Sequence, residues 1–230
     1  MTLHPTKFLK VIFYPLFLIS TPLIGQLLEF SAGVDHNSYL FTAASQSSSR
    51  LSLADDPGYQ TGGAYYFNEG NQPLNFALSY SHRRTAFGEF SGGRVSNSTT
   101  TGEVTRSELA LYLHVLNFSF GQKNLLLSVG PTFNITMRER VTGTRESGTL
   151  GEGFTIMQLD EDYRLFAPIG VGACLTFRYL IKLGDRFELV PRYQGAIGLT
   201  AAVEGFRARR LVNTFGVGLA YRLGKREATE

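Results

Sequence analysis

The 230 residues suit one domain, and 43% hydrophobic content with a mean hydropathy of −0.04 excludes a bundle of membrane-spanning helices. The formal charge of +3 falls to +1 without residues 1–25, whose only charges are Lys7 and Lys10, so despite a sequence pI of 9.0 nothing points to nucleic acid. The sole cysteine, Cys174, rules out a disulfide within the chain and a cysteine-based metal centre.

Residues 1–25 read as a cleavable signal peptide. Lys7 and Lys10 form the basic region, residues 11–19 are apolar apart from Tyr14 and Pro15, and Gly25 precedes the cut. The apolar run is shorter than the roughly 20 residues that a spanning helix needs. No cysteine near the cut marks a lipid anchor.

The first expected strand, residues 28–40, sets Leu28, Phe30, Ala32 and Val34 against Glu29, Ser31, Gly33 and Asp35. Residues 42–58 read as a polar loop. A second strand over 59–68 leads through a Glu-Gly-Asn-Gln turn to a third over 74–84, where Leu74, Phe76, Leu78 and Tyr80 oppose Asn75, Ala77, Ser79 and Ser81. Residues 88–103, rich in Gly, Ser and Thr, read as a loop. The fourth strand, 106–120, carries Leu109, Leu111, Leu113 and Val115 on one face, and its blurred parity near Asn117 predicts a bulge or boundary.

The fifth strand, NLLLSVGPTFNITMR, has the clearest alternation. Leu125, Leu127, Val129, Pro131, Phe133, Ile135 and Met137 are apolar, while Ser128, Gly130, Thr132, Asn134, Thr136 and Arg138 are small or polar. A polar loop is expected over 141–160. The sixth strand places Leu165, Ala167, Ile169, Val171, Ala173, Leu175, Phe177 and Tyr179 outward, against Arg164, Gly170, Gly172, Thr176 and Arg178. The seventh covers 187–202, a loop follows over 203–208, and the eighth covers 211–223. Residues 226–230 form a charged tail.

Short turns after even strands and mostly long loops after odd ones are the asymmetry of outer-membrane barrels, with both termini in the periplasm. The expected fold is therefore all-β: an eight-stranded antiparallel up-and-down transmembrane β-barrel over residues 26–225, in the cell outer membrane. A soluble lipocalin-like barrel would turn its apolar residues inward, the inverse of this pattern. Aromatic belts are expected from Tyr39, Phe41, Tyr59, Tyr80, Phe87 and Tyr163 at the external ends, and from Tyr65, Tyr66, Phe67, Phe118, Phe187 and Tyr221 at the periplasmic ends.

The segments YLHVLNFSFGQKNLLLSVGPTFNI and FGVGLAYRLGK resemble the small outer-membrane β-barrel family that includes OmpX-like and PorT-like proteins. In that family the fourth strand reads approximately YLEIPL; here His114 stands where an acid is common and Leu116 where proline is common, while Gly130-Pro131 is kept. The resemblance covers the layout of residues 26–225 and the motifs of the middle third. It implies a structural, adhesive or secretion-accessory barrel, and a last strand read by the barrel-assembly machinery.

The inward rows collect Glu29, Glu108, His114 and Glu188 with Arg138, Arg164, Arg178, Arg192 and Arg222. Such an interior is about wide enough for side chains to fill, so these charges must pair or meet trapped water. A structural salt-bridge plug is expected; the alternative is a narrow ion path. His82, Arg83 and Arg84, ending the third strand, are candidates for contact with lipopolysaccharide phosphates. Asp35, His36, Ser38, Asp55 and Asp56 resemble the ingredients of a lipid-modifying enzyme, but no triad spacing accompanies them. Gly170/Gly172 and Gly216/Gly218 lack a third glycine and a helix, so no nucleotide fingerprint is present, and no cofactor is expected. The expected role is non-enzymatic, through external loops that bind an unknown surface partner. The alternative is a transport or secretion accessory that contacts periplasmic partners.

Overall fold

The computed structural model describes residues 26–41, 49–66, 75–93, 96–120, 124–149, 151, 153–159, 165–203 and 208–223. The expected signal peptide, the charged tail and Arg164 lie outside the described residues.

The described strands are β1 (Gln26–Phe41), β2 (Ser49–Asp55), β3 (Gly58–Tyr66), β4 (Asn75–Gly92), β5 (Ser96–His114), β6 (Leu116–Phe120), β7 (Leu125–Thr149), β8 (Gly153–Leu159), β9 (Ile169–Tyr179), β10 (Ile181–Lys182), β11 (Phe187–Gly198) and β12 (Ala208–Leu223). All pairings are antiparallel. β1 pairs with β3, β3 with β4, β4 with β5, β5 with β7, β7 with β9, β9 with β11, β11 with β12, and β12 returns to β1. Among the described residues eight strands thus form a closed circuit in which each pairs with the next on either side. The closing seam runs the length of both strands, from Gln26 opposite Leu223 to Phe41 opposite Ala208.

Period-two alternation in sequence becomes an inside and an outside. In β1, Glu29 and Asp35 are buried while Phe30 and Val34 are exposed. In β12, Thr214, Gly218 and Ala220 are buried while Phe215, Val217 and Leu219 are exposed. The parity expected for these strands is the parity observed.

Three stretches expected to be loops are paired strands. β4 and β5 continue past the ring as a hairpin, with Thr85 opposite Val104 and Gly92 opposite Asn97. β7 runs on to Thr149 and folds back as β8, and β2 adds to the free side of β4. The result is a five-stranded extension in the order β2-β4-β5-β7-β8. In β5 the run Ser-Asn-Ser-Thr-Thr-Thr-Gly over 96–102 lacks the apolar alternation that marks a strand. Runs such as Thr99-Thr100-Thr101 nevertheless favour extended backbone. Gly151 and Gly153, with φ of 93° and 85°, supply the left-handed positions that the β7–β8 turn requires.

Two irregularities break the expected parity. Ser107 pairs with Arg138 and Glu108 with Thr136, leaving Met137 as an extra residue that inverts β7 beyond it. Three residues, Leu113, His114 and Val115, oppose Pro131 and Gly130 between the Tyr112–Thr132 and Leu116–Val129 pairs. The irregularity expected from Asn117 onward thus lies a few residues earlier, and Gly130 permits it: a Cβ there would lie 1.7 Å from the Leu113 carbonyl oxygen.

Other placements also differ from expectation. Leu165, expected outward, is buried with Phe166, Val203 and Ala208 in an apolar cluster at the hairpin end of the ring. Val203 and Ala208 therefore bound the loop after β11 as core residues. Among the belt aromatics, Tyr59, Tyr80, Phe118 and Phe187 are exposed, but Tyr66 and Phe87 point inward and are buried. Phe67 and Tyr163 lie outside the described residues.

Candidate functional site

The ring encloses two layers of paired charge. The first, nearer Gln26 and Leu223, is built on Glu29 of β1, which has no exposed surface. Arg178 of β9 reaches one carboxylate oxygen at 3.4 Å and Arg192 of β11 the other at 3.1 Å. Arg192 also donates to Ser31 Oγ at 2.9 Å and to Gln194 Oε1 at 2.5 Å. The Arg178 guanidinium lies 3.5 Å from the centroid of the Tyr66 ring, a cation–π contact inside the ring. Gly218 leaves the space that Glu29 occupies, since a Cβ there would stand 2.8 Å from Glu29 Oε1. On the same side Arg222 pairs with Glu188 at 2.6 Å, and fully buried His114 meets Thr176 Oγ1 at 3.1 Å through Nε2.

The second layer centres on Glu108 of β5. Arg83 of β4, Arg106 of β5 and Arg210 of β12 contact its carboxylate at 3.2, 3.2 and 2.7 Å. Arg83 also pairs with Asp35 of β1 at 2.8 Å. Asn37 Oδ1 accepts from Arg83 at 2.5 Å and from Arg210 at 2.9 Å. β5 and β12 stand on opposite sides of the circuit, so the Arg210–Glu108 pair crosses its full width. Buried ions are costly alone and tolerable only when paired and hydrogen-bonded, and here each named arginine has a carboxylate.

An apolar cap closes over this layer. Phe87, Val104, Val141, Leu165, Phe166, Val203 and Ala208 form it, with Tyr39 and Leu53 against it. The Arg106 guanidinium lies 3.8 Å from the Phe166 ring centroid, which joins the cap to the charges beneath. Glu139 Oε1 anchors the segment by accepting the Leu165 and Phe166 backbone N–H groups at 2.7 and 3.3 Å. The Met137 bulge is what turns Glu139 inward.

Of the expected interior charges, Glu29, Glu108, His114, Arg178, Glu188, Arg192 and Arg222 all face the lumen. Arg138 does not: the bulge turns it to the exposed outer wall. Of the three residues expected at the lipid headgroups, Arg83 is buried in the lumen. His82 stacks on Tyr59 at a ring separation of 5.3 Å, and Arg84 is exposed beside Glu103. Asp35, which the sequence reading set on the Glu29 face, completes the second layer with Arg83, Arg106 and Arg210, none of which that reading placed there. Strand parity was the available signal: Ser81 inward implies Arg83 inward, Glu108 implies Arg106, and Thr214 implies Arg210. The same alternation dissolves the Asp35–His36 constellation, because successive strand residues face opposite sides and Asp35 is buried while His36 is exposed.

No family model matches the chain, and no curated protein matches it. Among solved structures it is similar to Ail, the attachment invasion locus protein of Yersinia pestis, at 8% identity over 86% of this chain and 99% of that one, with a TM-score of 0.36. It is also similar to the outer membrane protein OprG from Pseudomonas aeruginosa (13% identity, 86% and 95% coverage, TM-score 0.37). A third similar structure is Neisserial surface protein A, NspA (10% identity, 86% and 96% coverage, TM-score 0.36). These comparisons single out neither the OmpX-like nor the PorT-like group.

Proposed function

We propose that the chain is an integral outer-membrane β-barrel of eight spanning strands, non-enzymatic, whose hairpin-end extension contacts partners at the cell surface. The observation that carries the reading is the outer wall. Every strand of the circuit exposes at least one large apolar or aromatic side chain, among them Phe30, Tyr59, Tyr80, Leu111, Phe133, Phe177, Phe187 and Phe215. Soluble monomers rarely expose a contiguous apolar surface larger than a few hundred Å², whereas a lipid belt requires one all the way round. The buried interior, by contrast, holds paired charges and hydrogen-bonded polar groups among small apolar and aromatic side chains, which supports reading the two layers with their cap as a plug rather than an ion path.

The surface role is supported by the extension. Among the described residues β8 has β7 as its only partner, and Phe154, Ile156 and Met157 on it are 78%, 65% and 53% exposed. An open strand edge with exposed apolar residues is a template for another chain.

The test begins with the outer-membrane fraction on a heat-modifiability gel. A band whose mobility changes on boiling supports a closed barrel in that membrane; a soluble protein without the shift refutes it. The combined variant Phe154→Ser, Ile156→Ser and Met157→Ser then separates the roles. Lost surface binding with normal secretion supports the adhesive reading, and the reverse supports a secretion accessory.

A further inference from the structure

On three adjacent strands the outer wall changes character at one level. Tyr80 gives way to His82 on β4, Leu109 to Ser107 on β5, and Met137 to Arg138 on β7. The Tyr80 hydroxyl donates to Ser107 Oγ at 3.0 Å and His82 Nδ1 lies 2.9 Å from the same oxygen, so the boundary is hydrogen-bonded along the wall. Directly above, the register places Arg84, Thr105 and Arg140 in one row, with Arg138 in the row beneath. Arg84, Arg138 and Arg140 are all exposed on the outer face. With one strand between β4 and β7, their backbones stand about 10 Å apart.

The patch exists because of the bulge. In unbroken alternation with Thr132, Asn134 and Thr136, Arg138 would face the lumen and Glu139 would face outward. Met137 exchanges them, putting a cation where an anion would have been. Among the described residues the acidic neighbours include Glu103, whose pair with Arg84 is long at 3.7 Å and exposed on both sides, and Asp56, also exposed, and Arg140 makes a contact of its own. Below the patch lie Leu111, Phe133, Ile135 and Met137, at least 36% exposed. A row of guanidinium groups over an apolar wall matches a molecule with phosphates at one end and acyl chains at the other, and guanidinium forks suit phosphate oxygens.

We propose that Arg84, Arg138 and Arg140 form a docking site for the phosphate groups of a lipopolysaccharide-type glycolipid, with its acyl chains along Leu111, Phe133 and Ile135. The proposal rests on the barrel reading, and it replaces the run His82–Arg84 expected from sequence by residues on two strands.

The experiment uses the full folded chain in detergent micelles, with native mass spectrometry as the readout. The probes are bisphosphorylated lipid A and the same lipid with both phosphates removed. The expected result is at least tenfold tighter binding of the bisphosphorylated form. The triple variant Arg84→Ala, Arg138→Ala and Arg140→Ala should lose that preference while keeping its heat-modifiable mobility. Arg209→Ala, which removes an exposed arginine on β12 away from the patch, should keep it. Equal affinity for the two lipids, or a triple variant that discriminates as the parent does, overturns the site and leaves the barrel standing. Absence of heat-modifiable mobility in the parent chain overturns the barrel and the site with it.

Discussion

The two charge layers meet the same requirement, buried ions in a closed ring, by different construction. Glu29 draws its arginines from β9 and β11, which lie on one side of its own strand, and it shares them with Ser31, Gln194 and the Tyr66 ring. Glu108 draws its arginines from β4, β5 and β12, and so bridges the ring from wall to wall. The first layer has neutral neighbours that take over when one partner is lost. In the second Glu108 faces three guanidinium groups, of which Arg83 alone has another carboxylate, Asp35. The lesson is that a filled barrel can be tied together at one level and merely satisfied at another.

The largest expected effect sharpens this contrast. Glu108→Gln leaves Arg83, Arg106 and Arg210 without their common carboxylate, and should destabilise the fold by about 3–5 kcal/mol, the cost of breaking a buried pair. Urea unfolding of protein inserted in lipid vesicles would measure it. Glu29→Gln should cost less, about 2 kcal/mol, because Arg192 keeps Gln194 and Ser31. An equal loss in the two variants would break the comparison.

The cap provides the next step. Phe166→Ala removes the ring beneath which Arg106 sits and opens a cavity at the hairpin end, for about 3 kcal/mol. It should also raise proton–deuterium exchange in β12 near Arg210 more than near Ala220. A smaller effect is expected for Gly218→Ala, whose Cβ would press on the Glu29 carboxylate and cost about 1–2 kcal/mol by crowding. The smallest is Arg84→Ala, an exposed pair partner, whose change in unfolding midpoint should correspond to less than about 1 kcal/mol.

Much of the ring was legible because an apolar outer wall and a polar filling impose opposite demands on alternate residues. Leu28–Asp35 and Phe215–Leu223 read correctly for that reason. The extension was not legible in the same way. Its β5 segment carries polar residues on both faces, so residues such as Ser98, Thr99 and Thr101 show no apolar alternation to detect, and only cross-strand pairing reveals them. Arg138 was misassigned because a one-residue bulge leaves no compositional trace, yet inverts every side chain beyond it. Arg83 was a different matter. It stands in a basic run with His82 and Arg84, and reading the three as a cluster overrode the strand parity that separates them.

The central claim, apolar side chains facing lipid around an ionic filling, is open to a direct optical test because the chain contains no tryptophan. Single substitutions Phe133→Trp and Phe215→Trp on the outer wall, and Tyr112→Trp in the lumen, would be compared in vesicles containing brominated lipid. The account predicts strong quenching at positions 133 and 215 and emission unaffected by bromine at 112. Quenching at 112 with none at 133 and 215 would contradict it.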